Sequence, residues 1–119
     1  MRTHLIIVTA VAALIAGQAQ AHARLLSATP RAGSTVAAPQ ALRLRYSEAI
    51  TAGASHVALA GPGGAAVATG AITLGARDKR LVIVPIIAKL TPGAYKVTWK
   101  MHTPDDHNTD GAFAFTVKR

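Results

Sequence analysis

Two short segments of this sequence hold histidine or aspartate side chains, which are common metal ligands, in arrangements that could bind one ion. One segment is Ala19-Gln20-Ala21-His22 and the other is Asp105-Asp106-His107. If the chain is cut after Ala21, His22 gains a free α-amine beside its imidazole. Both nitrogens can bind one metal ion once they have lost their protons. A new amino terminus at His22 would therefore be a chemical site.

The first residues have the three parts of a secretory signal peptide. Arg2 gives a positive start, LIIVTAVAALIA over 5–16 is an apolar run, and Ala19-Gln20-Ala21 matches a signal-peptidase site. The apolar run is shorter than the roughly 20 residues that a membrane-spanning helix needs. We therefore predict a signal peptide over 1–21 and one exported domain over 22–119.

A second cleavage position is also compatible with the sequence. Ala21-His22-Ala23 is another A-x-A match, and a cut after Ala23 would discard His22. We favour the cut after Ala21, because it leaves a short polar spacer after the apolar run in the usual proportions. We therefore expect the mature chain to start at His22.

The sequence contains no cysteine, and its formal net charge is +8. An exported domain of this size without disulfides must be held together by packing, and it has no thiolate metal ligand. A positive charge of this size can attract nucleic acid. Here, however, Arg43, Arg45, Lys96 and Lys100 alternate with apolar residues, as the solvent-facing residues of strands do. No basic cluster is interleaved with stacking aromatic residues, so we expect no nucleic-acid partner.

Alternation of apolar and polar residues predicts an all-β domain. In residues 94–102 every second side chain from Tyr95 to Met101 is apolar, which makes Trp99 a core residue. Tyr95 follows the turn at 90–93, where a tyrosine corner would lie. Further strands are predicted over 24–27, 42–46, 55–60, 81–84 and 112–117, with one bent strand or two over 65–74. About seven short strands separated by turn signals predict a single small antiparallel β-sandwich of the immunoglobulin-like type.

The predicted loop between the last two strands, residues 103–111, holds the second metal-binding candidate. Asp105, Asp106 and Asp110 are three of the five acidic residues of the chain, and His107 lies among them. In an extended segment residues two apart point the same way, so Asp105 and His107 can face one point while Asp106 points away. Segments of this kind are usually ordinary turns. The scarcity of acids elsewhere and the histidine at the other end of the chain favour a metal site.

Four segments of the chain carry a family resemblance: 22–30 (HARLLSATP), 44–48 (LRYSE), 90–99 (LTPGAYKVTW), and the Asp105-x-His107 triplet with the GAFAFTV run over 111–117. Together they resemble the periplasmic copper-resistance protein family CopC. The resemblance spans the whole mature chain and implies a small Greek-key β-sandwich. It also implies that His22, Asp105 and His107 bind Cu(II). Many members have proline directly after the triplet, where this chain has Asn108.

The chemistry of the implied ligands suits the implied metal. One amine, two imidazoles and one carboxylate give three nitrogens and one oxygen, a set typical of tetragonal Cu(II). Cu(II) also has the highest affinity among the divalent first-row ions. Zn(II) is a competitor, since it accepts the same side chains but prefers a tetrahedral arrangement.

Some members of the family carry a second, Cu(I) site in a methionine-rich segment, and this chain lacks that segment. The corresponding stretch, 58–66 (ALAGPGGAA), has no methionine, and Met101 is the only one outside the predicted signal peptide. Cu(I) prefers thiolate and thioether ligands, so we expect a Cu(II)-only member. We interpret His56 as a strand or turn residue and His102 as a solvated strand residue. Glu48 matches an acid that the family often has, and could either orient a ligand or be an exposed strand-end charge.

The resulting hypothesis is a monomeric periplasmic protein, not an enzyme. It would bind Cu(II) for copper resistance or homeostasis, or supply it to an inner-membrane transporter such as the CopD partner that the resemblance suggests. The alternative is a histidine-brace copper enzyme of the lytic monooxygenase type. We rank it second, because Asp105 would fill a position that such chemistry leaves open to oxygen. A metal-free adhesive sandwich is a third reading, and it would require His22 to be dispensable.

Overall fold

The computed structural model describes residues 22–119, so the predicted signal peptide over 1–21 lies outside the described residues. Nine strands lie in this part of the chain: β1 (Leu25–Thr29), β2 (Thr35–Val36), β3 (Ala41–Tyr46), β4 (His56–Ala60), β5 (Ala66–Val67), β6 (Thr73–Gly75), β7 (Asp78–Pro85), β8 (Gly93–His102) and β9 (Asn108–Val117). Two short 3-10 turns, Ala52–Ala54 and Pro62–Gly64, complete the elements. No helix within 22–119 is long and apolar enough to span a membrane.

The strands form two sheets, which confirms the predicted β-sandwich. One sheet has the order β1-β3-β7-β6 and the other has the order β2-β9-β8-β4-β5. The count of nine exceeds the predicted seven or so, since the two-residue strands β2 and β5 give almost no sequence signal. β2 also runs parallel to β9, whereas the other pairs in the two sheets are antiparallel. Residues 65–74 form two strands in different sheets, rather than one bent strand.

The inner faces of the two sheets carry the core, as the alternation predicted. Leu42, Leu44 and Tyr46 of β3 are fully buried, and Arg43 and Arg45 between them are exposed. In β8 the buried side chains are those at positions 95, 97, 99 and 101. Each fully buried aliphatic side chain of this kind stabilises the fold by about 1.5–3 kcal/mol. β7 begins at Asp78, three residues before the predicted strand over 81–84, and Asp78 forms an ion pair with Arg45 of β3.

Tyr95 makes the predicted tyrosine corner at the start of β8. Its hydroxyl donates a hydrogen bond to the carbonyl oxygen of Thr91, 2.6 Å away. Its ring stacks on Phe115 of β9 with the ring centroids 5.6 Å apart. The corner fixes the entry of the chain into β8, which ends at the loop that holds Asp105 and His107.

One end of the sandwich gathers the segments that hold the candidate ligands. β1 begins there opposite the end of β3, and the pairing continues as Arg24 N–H donates to Ser47 Oγ at 2.8 Å. The 47–55 loop then reaches the end of β8, because Thr51 N–H donates to the His102 carbonyl at 2.8 Å. The amino-terminal segment and the β8–β9 loop are therefore attached to one connected surface.

We predict that Gly111→Ala destabilises the fold, because Gly111 lies directly under the Trp99 ring. A Cβ there would lie 2.7 Å from Trp99 Cε2 and 3.1 Å from Nε1, closer than packed atoms approach. The ring is confined in the core beside Tyr46, with the two centroids 5.1 Å apart. We expect the free energy of unfolding in urea to fall by about 1–3 kcal/mol.

Gly53→Ala is the matched control, since a Cβ at Gly53 would have nothing within 4 Å. We expect the free energy of unfolding of this variant to stay within about 0.5 kcal/mol of that of the unmodified protein. Equal losses in the two variants would contradict the proposed contact between residue 111 and the Trp99 ring.

Candidate metal centre

His22 lies at the edge of the sandwich, held by its neighbours. Ala23 is buried in the core cluster, and Arg24 is bonded through its N–H to Ser47. The exposed His22 side chain consequently stays near the β8–β9 loop. Its ring centroid is 5.2 Å from that of His107, with the two ring planes nearly perpendicular at 89°. The fold thus brings together two histidines that are 85 residues apart in the sequence.

The loop between β8 and β9 is shorter than predicted. The ladder continues to the pair His102↔Asn108, so residues 108–111 belong to β9 and only 103–107 form the loop. Inside it, Asp106 N–H donates to the Thr103 carbonyl at 2.9 Å and Thr103 N–H donates to the His107 carbonyl at 3.0 Å. The loop is therefore a tight, internally bonded turn.

Asp105 and His107 face each other within this turn. Asp105 Oδ2 lies 3.0 Å from His107 Nδ1. The expectation of an extended segment was wrong, since Asp106 has a φ of +67°, in the left-handed region. Aspartate tolerates this conformation better than most residues do. The left-handed residue, rather than a strand repeat, separates the Asp106 side chain from those of Asp105 and His107.

Thr103 holds the other oxygen of the Asp105 carboxylate. Its hydroxyl donates a hydrogen bond to Asp105 Oδ1. This bond, followed by the influence of the nearby His107 imidazole, holds the pKa of Asp105 below its usual range. The carboxylate is therefore ionised at neutral pH, as a metal ligand must be.

Asp106 and His102 form a second acid and imidazole pair on the far side of the loop. His102 Nε2 lies 3.3 Å from Asp106 Oδ1, and His102 Nδ1 lies 2.7 Å from Asn108 Oδ1. The interpretation of His102 as a solvated residue is wrong, because its side chain is only 21% exposed and both of its nitrogens have polar partners. The turn folds back over the end of β8, which the strand pattern alone did not predict.

The Asp105 and His107 pair fits two neighbouring positions around one metal ion. Donor atoms about 2 Å from a metal lie roughly 2.8 Å apart at a right angle and roughly 3.3 Å apart at a tetrahedral angle. The observed 3.0 Å lies between these values. His107 Nδ1 is also buried and has no hydrogen-bond partner of good geometry among the described residues. A buried nitrogen without a hydrogen bond, beside an ionised carboxylate, is suited to a cation.

In the 119-residue chain, His22 is not positioned as a third ligand beside Asp105 and His107. Within residues 22–119, no three histidine, aspartate or glutamate side chains are already arranged around one point. The backbone nitrogen of His22 is an amide as long as Ala21 precedes it, and an amide nitrogen is not the amine donor that the hypothesis requires. The assignment of His22, Asp105 and His107 as ligands accordingly stays a prediction.

Residues 25–118 match the protein family described as CopC domain. This chain belongs to the CopC family. It is 35% identical over 122 residues to copper resistance protein C of Pseudomonas syringae pv. tomato, which covers 98% of this chain and 97% of that protein. It is also 36% identical over 106 residues to protein YobA of Escherichia coli, covering 88% of this chain and 86% of YobA. The family resemblance of the sequence is thus confirmed.

Solved structures of CopC relatives have the same sandwich. The crystal structure of PcoC, a methionine rich copper resistance protein from Escherichia coli, matches with a TM-score of 0.75 and 34% identity, covering 82% of this chain and all (100%) of PcoC. CopC from Methylosinus trichosporium OB3b matches with a TM-score of 0.75 and 26% identity, covering 82% of this chain and 94% of that one. The predicted fold class is therefore confirmed by structure as well as by sequence.

The other residues that the sequence singled out lie apart from this pair of ligand candidates. Met101 is 1% exposed in the core, so its sulfur packs rather than faces solvent. His56 is exposed on β4 opposite Lys100, and Asp110 is opposite the same lysine from β9. Glu48 is half-buried directly after Ser47, and no hydrogen bond or ion pair joins it to the candidate ligands among the described residues.

Thr103 is the functional candidate that the sequence reasoning missed in this CopC chain. The alternation of β8, continued by one step beyond Met101, places residue 103 on the inner face of the sheet. A hydroxyl on a buried face must find a partner nearby, and Asp105 is two residues away. That combination of a buried threonine and an adjacent acid is the signal that could have identified it.

Proposed function

We propose that this CopC-family protein binds one Cu(II) ion at the end of the sandwich where His22, Asp105 and His107 lie. The observation that carries the proposal is the 3.0 Å contact between the ionised Asp105 carboxylate and the buried His107 nitrogen. The edge-on His22 ring, 5.2 Å from the His107 ring, supports a third donor at the same place. Membership of a family of copper resistance proteins supports copper as the metal.

Cleavage after Ala21 would supply the fourth donor. Because Ala23 is buried and Arg24 is bonded to Ser47, a chain that starts at His22 would keep its terminus beside the loop. The α-amine and the imidazole of His22 could then bind the same ion with a small loss of chain entropy, since the segment is already ordered. The proposed set is three nitrogens and one carboxylate oxygen, which favours tetragonal Cu(II).

The position of the site suits a protein that carries or sequesters copper in the periplasm. The side chains of Asp105 and His107 are 58% and 43% exposed, so an incoming ligand could approach the metal directly. We propose transfer to a CopD-like transporter of the inner membrane by such ligand exchange, with the protein acting as a monomer. The export signal predicted over 1–21 supports the periplasm.

We propose a binding protein rather than a histidine-brace copper enzyme. If Asp105 and His107 bind one ion, the Asp105 carboxylate would occupy a position beside the imidazole that oxygen chemistry needs free. The Thr103 hydrogen bond opposes withdrawal of this carboxylate.

We expect the mature protein that starts at His22 to bind one Cu(II), as measured by intact native mass and by titration against a competing chelator. A variant with one extra residue before His22 should bind at least roughly 10-fold more weakly, because its α-amine is displaced from the site. Intact mass also identifies the cleavage position. Equal affinity of the two forms would remove the amine from the proposed set.

In the same titration, Asp105→Ala and His107→Ala should each weaken Cu(II) binding by at least roughly 10-fold. Asp106→Ala is the matched control, because the Asp106 carboxylate contacts His102 on the far side of the loop. We expect it to change the affinity much less. If Asp106→Ala proves as damaging as Asp105→Ala, the assignment of the two aspartates is reversed.

Cu(II) affinity should fall steeply below about pH 6, because imidazoles and α-amines must lose protons before they bind a metal. The pKa of Asp105 is lowered, mainly by Thr103, so this carboxylate stays ionised as the nitrogens gain protons. Asp105→Asn should therefore lower the affinity at every pH from about 5 to 8 without changing the shape of the profile. A flat profile for the unmodified protein over this range would contradict a nitrogen-dominated site.

Reduction should release the metal. The chain has no cysteine, and Met101 is buried, so the accessible ligands are imidazole, amine and carboxylate rather than the soft ligands of Cu(I). We expect ascorbate with a Cu(I) chelator to strip the protein completely, as followed by the absorbance of the chelator complex. Tight retention of Cu(I) would show that the Cu(II)-only reading is wrong.

A further inference from the structure

Thr103 is a buried polar residue whose hydrogen bonds all lie inside the proposed metal-binding loop. It is 4% exposed, at the junction between β8 and the loop. Its N–H donates to the His107 carbonyl and its own carbonyl accepts from Asp106 N–H. Its hydroxyl lies against Asp105 Oδ1 and is 3.3 Å from the His107 carbonyl oxygen. One threonine thus contacts each of the last three residues of the loop.

The single hydroxyl proton of Thr103 has two acceptors within reach, and the carboxylate is the stronger. A hydrogen bond to an ionised acceptor is roughly twice as strong as one to a neutral carbonyl. The contact with Asp105 is also the shorter of the two. The hydroxyl is accordingly committed to Asp105 Oδ1.

This hydrogen bond determines which Asp105 oxygen is left for a metal. With Oδ1 held by the hydroxyl, Oδ2 is the oxygen that lies 3.0 Å from His107 Nδ1. The Asp105 side chain is more than half exposed, and the only other polar side chain that holds it among the described residues is His107. Without the hydroxyl, the carboxylate could rotate into solvent or present both oxygens.

We infer that Thr103 is a positioning residue for metal binding, which holds Asp105 to one-oxygen ligation beside His107. The inference rests on the proposed function, since it describes how one of the proposed ligands is oriented. A hydrogen-bonded residue behind a metal ligand commonly changes metal affinity by roughly 10-fold to 100-fold. The role belongs to the hydroxyl itself, because the methyl group of threonine contributes nothing to this bond.

The test compares Cu(II) binding by the mature protein and by Thr103→Val, which replaces the hydroxyl with a methyl group of similar size. We expect the affinity to fall by roughly 10-fold or more and the Cu(II) electron paramagnetic resonance spectrum to change, because the carboxylate oxygen moves relative to the metal. Thr103→Ser should restore both the affinity and the spectrum. If Thr103→Val fails to fold, Thr103→Ala measured against Thr103→Ser gives the same comparison.

Thr109→Val is the matched control. Thr109 is a threonine of β9 near the loop, and its buried hydroxyl has no hydrogen-bond partner among the described residues. Removing it should leave the Cu(II) affinity and the spectrum unchanged.

A double-mutant cycle separates positioning from a general effect on the loop. If the hydroxyl acts through the carboxylate, Thr103→Val should lower the Cu(II) affinity of the unmodified protein by roughly 10-fold. It should hardly change the affinity of the Asp105→Asn variant. Equal losses in both backgrounds, or an unchanged affinity and spectrum in Thr103→Val, would overturn the inference while leaving the proposed function intact. Absence of Cu(II) binding by the unmodified mature protein would overturn the proposed function itself.

Discussion

The antiparallel ladder between β8 and β9 is the constraint on which the rest of the candidate site depends. It pairs the two strands from Gly93↔Val117 to His102↔Asn108 without interruption, and so leaves only residues 103–107 to reverse the chain. A loop this short must bond its own backbone groups, which it does through Thr103. The close contact between Asp105 and His107 follows from that tight turn, whereas a loop extending to residue 111 would have left their separation undetermined.

The second constraint joins the amino terminus to the same end of the molecule. β1 pairs with β3, and the Arg24 contacts with Ser47 continue that pairing to within two residues of His22. The core beneath Ala23 adds apolar burial to these hydrogen bonds. The segment after His22 is thereby held at a defined place, so the proposed cleavage after Ala21 would leave a terminus that is less prone to fraying than most.

The polar side chains of the loop have two different sets of partners. The His107 ring lies beside that of His22, and its Nδ1, next to Asp105 Oδ2, has no hydrogen bond of good geometry among the described residues, an arrangement suited to a proton or a cation. Asp106 of the loop instead contacts His102 Nε2, while Asn108 at the start of β9 contacts His102 Nδ1, so the loop is held to the end of β8. Asp105 and Asp106 are adjacent in sequence but contact different histidines, because the left-handed conformation of Asp106 turns the chain between them.

The fold class, the inner faces of β3 and β8, the Tyr95 corner and the short list of candidate metal ligands could all be predicted from the sequence. These depend on side-chain period and turn chemistry, which act over a few residues and can be read locally. The length of the loop, the partners of His102 and the contact of Thr103 with Asp105 became visible only in the folded chain. The same is true of the approach of His22 to His107, because that distance depends on how the two sheets pack and not on any local pattern.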